Sequence, residues 1–529
     1  MTSAAERVGK GLAPARDARP ILPGERIHVV GAAGAGASAA ALLARSVGAR
    51  VTACDPGAPS IYTPALEALG IAIAREHSVA HVTTAPAPDR LAVTKALTAI
   101  HPDQPELVAA RSIGILVEPW QQVVADVALG RTLVGVAGTH GKSTTAGWLV
   151  HVLVEAGLDP TAFVGALLPA ALTGGPPATA RWGRGAAFIV EADEYAGNFD
   201  PYRPDIAILT SAEWDHPDVF ADGAAVEGAF EAWLRRAPAD AALVANVAEP
   251  GVAAVVERLV DWPGSVLAYA LVDQAPQRLG GYARAIMERF ATRAGPASAL
   301  LGRVTASDPA STTVEIYGLD PMAGPITTRL TSAGRHNAAN ALAVAGAASV
   351  LGLAPATIGT ALASFAGVGR RLERKGEAAG VTVYDDYGFT RPPSVRRSRR
   401  FANASRVGAS GPSWSRSPFI ALQPCLTNWP RPWPRPTPSR SRTFGPVGTR
   451  TRRSPPPPLW PTLSPPDDLR SRSSLRARWT EPRTPSQARS APATLFSSWA
   501  AARATGSRSG CSGDWRRRDD GLRDGWRVA

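Results

Sequence analysis

Residues 133–148 read LVGVAGTHGKSTTAGW: an apolar run, a glycine turn carrying one lysine, then helix-forming residues. No other stretch limits the fold as tightly. A strand that hands straight into such a turn and a helix belongs to a parallel α/β sheet, with the turn at the strand's carboxyl end. Gly138 and Gly141 open the turn, with Thr139 and His140 between them, so that backbone N–H groups can cradle phosphate. Lys142 then reaches the β- and γ-phosphates, and the hydroxyl of Ser143, followed by Thr144, can ligate Mg2+. A generic phosphate loop carries glycine five positions before Gly141, where this chain has Val136; the match is to the variant G-T-x-G-K-S/T-T.

The rest of residues 1–388 agrees with that fold class. Apolar runs at 27–30, 133–136, 187–190 and 206–209 predict buried strands, and Ala-rich stretches between them predict helices. The alternation points to parallel sheets with crossover helices. Residues 186–220 place acids directly after two of these strands: Glu191, Asp193 and Glu194 after the first, Glu213, Asp215 and His216 after the second. Carboxylates at the carboxyl ends of parallel strands suit Mg2+, a hard cation that takes oxygen ligands. His216 can supply a nitrogen ligand or an oriented neighbour; a solvated acidic loop is the plain alternative.

Residues 27–55 form a second strand, glycine turn and helix, closed by another strand and Asp55. Gly31, Gly34 and Gly36 are spaced G-x-x-G-x-G and can admit a diphosphate to the helix N-terminus; a tight turn alone would need the same glycines. Asp55 can meet a ribose or base edge, or simply close a turn. Residues 331–351 begin with a polar turn and become an Ala-rich helix. Asn337 and Asn340 are unusual there, because asparagine competes for backbone hydrogen bonds; capping by Asn337 is one explanation.

Composition divides the chain near residue 389. Residues 389–529 hold 27 Arg, no Lys and 7 acids, so their net +20 leaves −7 of the chain's +13 for residues 1–388. A nucleic-acid partner is therefore not expected from the overall charge. The same stretch has 21 of the 48 prolines and 8 of the 14 tryptophans, with no period of 2 or 3.6. A disordered Pro/Arg/Ser-rich tail would explain the prolines. Arg, Pro, Ser and Trp without Lys is what a GC-rich gene yields out of frame, so we read a frameshift close to Gly388. The nucleotide sequence tests this: the reading fails if no other frame encodes an α/β domain there. Residues 1–20 are polar, lack the apolar core of a signal peptide and are expected to be a flexible N-terminus. Apolar runs are too short to span a bilayer, so no membrane insertion is expected. Cys54, Cys425 and Cys511 lie far apart without metal-type spacing, which suits a reducing cytoplasm.

Taken in order, several segments resemble the Mur ligase family, the enzymes that add amino acids to UDP-N-acetylmuramate. They are the G-T-H-G-K-S-T loop, E-A-D-E at 191–194, E-W-D-H at 213–216 and G-R-H-N-x-x-N at 334–340. F-x-G-x-x-R-R at 365–371 and D-D-Y-G at 385–388 complete the series. Ser211 stands where the family has Asn, and H-H-P is replaced after Gly388 by Phe389, Thr390 and Arg391. The likeness spans about residues 27–388. It implies an ATP-dependent ligase with three domains: a Rossmann-like UDP-sugar domain (21–128), a central P-loop-type ATPase domain with a parallel sheet (129–367) and a C-terminal Rossmann-like domain. Residues 368–388 would be the hinge and first strand of that last domain, with 389–529 standing in its place.

By the same resemblance, Gly31, Gly34, Gly36 and Asp55 serve the UDP-sugar. Lys142 acts on ATP phosphate, and Ser143, Glu191 and His216 bind magnesium. His336 and Asn337 face adenine, Arg371 meets phosphate and Asp386 the ribose. ATP and Mg2+ are the implied cofactors, UDP-N-acetylmuramate and L-alanine the implied substrates. I-H-x-V-G at 27–31 favours the branch that adds L-alanine; E-A-D-E-Y also occurs in the branch that recycles murein tripeptide. A chain without its third domain would bind nucleotide and not turn over. A basic arm for nucleic acid is the remaining alternative, drawn from the Arg and Trp of residues 389–529.

Overall fold

The computed structural model describes residues 8–273, 279–289, 295–320, 324–369, 373–378 and 381–385. Arg371, Asp386 and the whole of 389–529 lie outside the described residues.

The first sheet holds β1 (Arg26–Val30), β2 (Arg50–Cys54), β3 (Ile73–Ala74), β4 (Arg90–Val93) and β5 (Leu116–Pro119) in the order β3-β2-β1-β4-β5. Every pairing in it is parallel. Strand β1 sits in the middle, and residues 27–30 are all buried, as a central parallel strand requires. Helix Ala35–Ser46 follows it and buries Ala37 through Ala44.

Arg90 opens β4 with no exposed side chain. Its Nη1 donates to Glu118 at 2.6 Å and to Asp126 at 2.5 Å, and its Nε lies 2.9 Å from Glu25. Arg16 and Arg19 complete the network from the surface: Arg16 binds Glu118 and Asp126, and Arg19 binds Glu25. The segment expected to be a flexible N-terminus thus makes specific contacts at residues 16 and 19. Charges buried this deeply persist only when paired and hydrogen-bonded.

The second sheet holds β6 (Thr132–Ala137), β7 (Thr161–Leu168), β8 (Ala178–Arg181), β9 (Ala187–Glu191), β10 (Ile206–Leu209), β11 (Ala242–Asn246), β12 (Ser265–Leu271), β13 (Ala297–Ser307), β14 (Thr312–Tyr317) and β15 (Ile326–Leu330). Their order is β15-β14-β13-β12-β11-β10-β6-β9-β7-β8. From β13 across to β7 the strands are parallel. Both edges turn antiparallel, β8 against β7 and β14 between β13 and β15, a feature the expected parallel sheet did not include. The cause at one edge is local: Asp308 Oδ1 accepts from the N–H groups of Ala310 and Ser311, closing a tight turn that can only join antiparallel neighbours.

Helix Lys142–Glu155 packs on this sheet, and Trp148 stacks on Phe365 with ring centroids 4.7 Å apart. Helix Arg335–Val350 lies beside it. A Cβ on Gly346 would stand 2.9 Å from Val244 and 3.0 Å from Leu267, so glycine there sets how closely the helix approaches the sheet. Glu373–Ala378 pairs antiparallel with Val381–Asp385, the expected opening strand of the next domain. No helix among the described residues is long and apolar enough to cross a membrane.

Candidate active site

β6 ends at Ala137, and the turn that follows is strapped to the end of β10. Thr210 Oγ1 donates to the carbonyl of His140 at 2.6 Å, and the N–H of His140 donates to Ser211 Oγ at 2.8 Å. Thr139 Oγ1 donates to the carbonyl of Glu213 at 2.8 Å and accepts from its N–H at 3.1 Å. Ser211, which stands where the resembled motif has Asn, thus holds the loop. Gly138 has φ +133°, and a Cβ there would stand 2.8 Å from the N of Ser211. Gly141 has φ +84° and is the N-cap of helix Lys142–Glu155; its Cβ would stand 2.6 Å from Asn340 Oδ1. The first N–H groups of a helix have no carbonyl partner within it, and with the helix dipole they give such a loop its attraction for anions.

Lys142 leads the helix into a nest of acids. Its Nζ donates to Glu194 at 2.8 Å and lies 3.5 Å from Asp193. Burial opposes the ammonium, but Glu194, Asp193 and Glu191 outweigh it and hold its pKa above the ordinary lysine value. Burial raises the Glu194 acid in spite of Lys142. One turn position on, Ser143 Oγ donates to Glu191 at 2.9 Å. The other oxygen of Glu191 accepts from the N–H of Gly165 at 2.5 Å, where a Cβ would crowd the carboxylate. Thr144 is half-buried beside them.

His216 has φ +55°, which strains any residue but glycine, and such strain gathers at working sites. Its ring meets Tyr195 edge-on at 4.9 Å. One donor atom each from Asp193, Glu194 and His216 lies within 4.8 Å of the others. The three expected metal residues thus fall into two neighbouring sets, Ser143 with Glu191 and His216 with Asp193 and Glu194. Glu194 Oε1 is buried without a hydrogen-bond partner. An orphaned carboxylate oxygen among further carboxylates and a hydroxyl is a donor set that fits a hard divalent cation.

Helix Arg335–Val350 begins after Gly334, with φ +101° at the N-cap. Asn337 is not that cap: it sits in the first turn, and its amide donates to the carbonyl of Ala333 at 2.9 Å. His336 and Asn337 precede Asn340 by four and three residues, so all three share the helix face that meets Gly141.

The first glycine loop belongs to the other sheet. Gly31 has φ +86° and donates to the carbonyl of Cys54 at 2.9 Å. Gly34 is the extended N-cap of helix Ala35–Ser46. At Gly36 a Cβ would run into the ring of Trp120, so that glycine answers to packing. Asp55 accepts from the N–H of Ala33 at 2.8 Å and of Gly57 at 2.7 Å, which stiffens the loop from behind.

Two contacts tie that sheet to the acidic loop. Lys95 Nζ donates to the carbonyl of Ala196 at 2.8 Å, and burial pulls its amine down to about 8 against the charges of Asp200 and Asp193. Gln121 donates to Asn198 at 2.6 Å, and Asn198 in turn donates to Asp193 at 2.9 Å. Neither Lys95 nor Gln121 was legible as a site residue, because each acts on the loop through a backbone or a relay.

Ser143→Ala is expected to raise the Mg2+ concentration for half-maximal turnover by at least about tenfold, the size of one lost metal or outer partner. A magnesium titration of the variant checks it; an unchanged midpoint would remove Ser143 from the metal set.

The family model described as "Mur ligase family, catalytic domain" matches residues 26–132, and "Mur ligase middle domain" matches residues 136–348. A UDP-N-acetylmuramate–L-alanine ligase from Kineococcus radiotolerans is 37% identical over 388 residues, which cover 72% of this chain and 74% of the relative. A murein peptide ligase structure from Psychrobacter arcticus aligns with TM-score 0.55 and 26% identity over 69% of this chain and 73% of that one. The structure of a UDP-N-acetylmuramate–alanine ligase from Thermotoga maritima has the same fold, with TM-score 0.53 and 24% identity over 69% of this chain and 74% of that one.

Proposed function

The chain belongs to the Mur ligase family, and from that membership we propose that it is an ATP-dependent ligase joining L-alanine to UDP-N-acetylmuramate in peptidoglycan synthesis. The observation that carries the reading is the strapped phosphate loop, whose lysine faces the acids after β9 while its serine pairs with Glu191. We assign residues 21–128 to the UDP-sugar, 129–367 to ATP and 368–388 to the hinge and first strand of the third domain, an assignment that the two separate sheets support.

A carboxylate oxygen of UDP-N-acetylmuramate attacks the γ-phosphorus of ATP, and the bond to ADP breaks. The resulting acyl-phosphate is attacked at its carbonyl carbon by the amine of L-alanine. An amide forms, inorganic phosphate leaves, and the amine's extra proton passes to solvent. Such phosphoryl transfer is mostly a matter of positioning and charge neutralisation. The loop from Gly138 to Thr144 holds phosphate oxygens through amides other than those of Thr139 and His140, which are bonded to Ser211, and Lys142 turns from Glu194 to the β- and γ-phosphates. Mg2+, held by Ser143, Glu191 and His216 with Asp193 and Glu194 near, would offset the repulsion between ATP and an anionic substrate. His336 and Asn337 flank adenine; Arg371 and Asp386 keep the ATP roles that the resemblance assigns. Gly31 and Gly34 admit the diphosphate of the UDP-sugar at a helix N-terminus, and Asp55 keeps that loop in shape. The ATP requirement and the scattered cysteines are why we assign the enzyme to the cytoplasm.

Tripeptide recycling is the second reading, favoured by the likeness to the Psychrobacter arcticus murein peptide ligase. Incubation with ATP, Mg2+, UDP-N-acetylmuramate and equal L-alanine and murein tripeptide, read by product mass, decides between them. The expected product carries one alanine; a tripeptide adduct would move the chain to the recycling branch.

A further inference from the structure

We propose that the N-terminal sheet carries a buried zinc site made by His28, Cys54, His81 and Glu106, with His77 beside it. One donor atom from each of the first four lies within 4.8 Å of all the others. They come from four separate elements: β1, β2, helix Ala80–Thr83 and helix Pro105–Ser112. Cys54 and Glu106 have no exposed surface and His28 only 2%. Around them pack Val30, Val82, Leu91, Val93 and Leu107.

The separations suit a small cation. His28 Nε2 lies 3.3 Å from Cys54 Sγ and 3.0 Å from Glu106 Oε1. Cys54 Sγ is 3.5 Å from Glu106 Oε2, and His81 Nδ1 is 2.8 Å from Glu106 Oε1. Zinc bonds of about 2.0–2.3 Å at tetrahedral angles place donors about 3.3–3.6 Å apart, so a cation at the centre needs only a slight opening of the cluster. His28 Nδ1 is engaged by Thr52 Oγ1 at 2.8 Å, which fixes the ring with Nε2 facing inward, the usual outer partner of a metal-bound imidazole. His77 Nδ1, at 3.3 Å from Cys54 Sγ and 3.4 Å from Glu106 Oε2, is close enough to exchange for one donor.

Charge supports the same occupant. A thiolate and a carboxylate sum to −2, which one divalent cation neutralises in apolar surroundings. Sulfur and imidazole donors select zinc over magnesium or calcium. The site stands directly behind the first glycine loop, because the carbonyl of Cys54 accepts the N–H of Gly31 at 2.9 Å. Its metal therefore stiffens that loop, independently of which amine the enzyme uses.

The test is metal analysis of the full chain as purified, then cobalt exchange. A background with Cys425→Ser and Cys511→Ser leaves Cys54 as the one thiol, so a cobalt–thiolate charge-transfer band reports this site alone. About one zinc per chain is expected, with the band present in the intact site. Cys54→Ser and His81→Asn are expected to cut zinc at least about tenfold and to lose the band; Thr52→Val is expected to weaken zinc about 10–100-fold with the band kept. Serine at Cys54 and asparagine at His81 are close in size to the originals, and the cobalt band of the intact site decides the matter even if a variant misfolds. A folded chain without zinc, without the band and with no thermal shift on adding zinc overturns the proposal and marks the cluster as a hydrogen-bonded network.

Discussion

Lys142→Ala is expected to lower phosphate release from ATP by about 10^3-fold or more, the range seen when a cation or donor aimed at a transferring group is removed. The side chain is 13% exposed and paired with Glu194 at 2.8 Å, so the substitution also strips a buried carboxylate of its partner. That second effect has a pH signature. Burial holds the Glu194 acid above the usual carboxylate range even with Lys142 present, and without Lys142 it rises further. A group whose folded pKa exceeds its unfolded value stabilises the fold at acid pH and loses that contribution as pH rises through the folded pKa. The melting-temperature gap between variant and intact chain is therefore expected to widen from about pH 5 to about pH 8. Lys142→Arg, which keeps the charge, is expected to close most of that gap and still turn over poorly. A gap that is flat with pH would contradict the pairing.

Arg90→Leu is expected to cost about 3–5 kcal/mol of stability, the usual penalty for leaving buried charges without their partner. Glu118 and Asp126 have side chains 1% and 0% exposed, and Arg16 would remain as the cation paired with both, beside the N–H of Arg19 on Asp126. The loss falls on the first sheet, so a urea titration should show that sheet unfolding early while the second sheet, with the loop at 138–144, persists. Unfolding at the same urea concentration as the intact chain would mean that the network contributes nothing net.

Much of this architecture could be read from the chain because parallel strands are buried on both faces and show as unbroken apolar runs. The runs at 27–30, 133–136, 187–190 and 206–209 fall inside β1, β6, β9 and β10, and the chemistry collects at the ends of three of them. The phosphate loop was legible because its glycines, lysine and serine are contiguous. The partners of those residues were not. Glu194 with Lys142, and Asn340 against Gly141, are separated by 52 and 199 positions, and only the folded sheet brings them together. The same holds for Arg90 and its acids, and for His28, Cys54, His81 and Glu106. Their sequence spacing resembles no metal motif because each donor sits on a different element. The helix at 335–350 was predicted, but the role of Asn337 at its start was open. A glycine with positive φ at position 334 takes the cap, and Asn337 falls within the first turn. The antiparallel edges were hidden for a simpler reason: an edge strand with one covered face has too short a pattern to reveal its direction.

The most direct measurement is phosphate release by the purified full chain with ATP, Mg2+ and UDP-N-acetylmuramate, with and without L-alanine. Release that requires both the UDP-sugar and L-alanine is the result expected of this ligase. Release indifferent to L-alanine would contradict it, whereas a chain that binds ATP and releases nothing would be the family member whose third domain residues 389–529 have replaced.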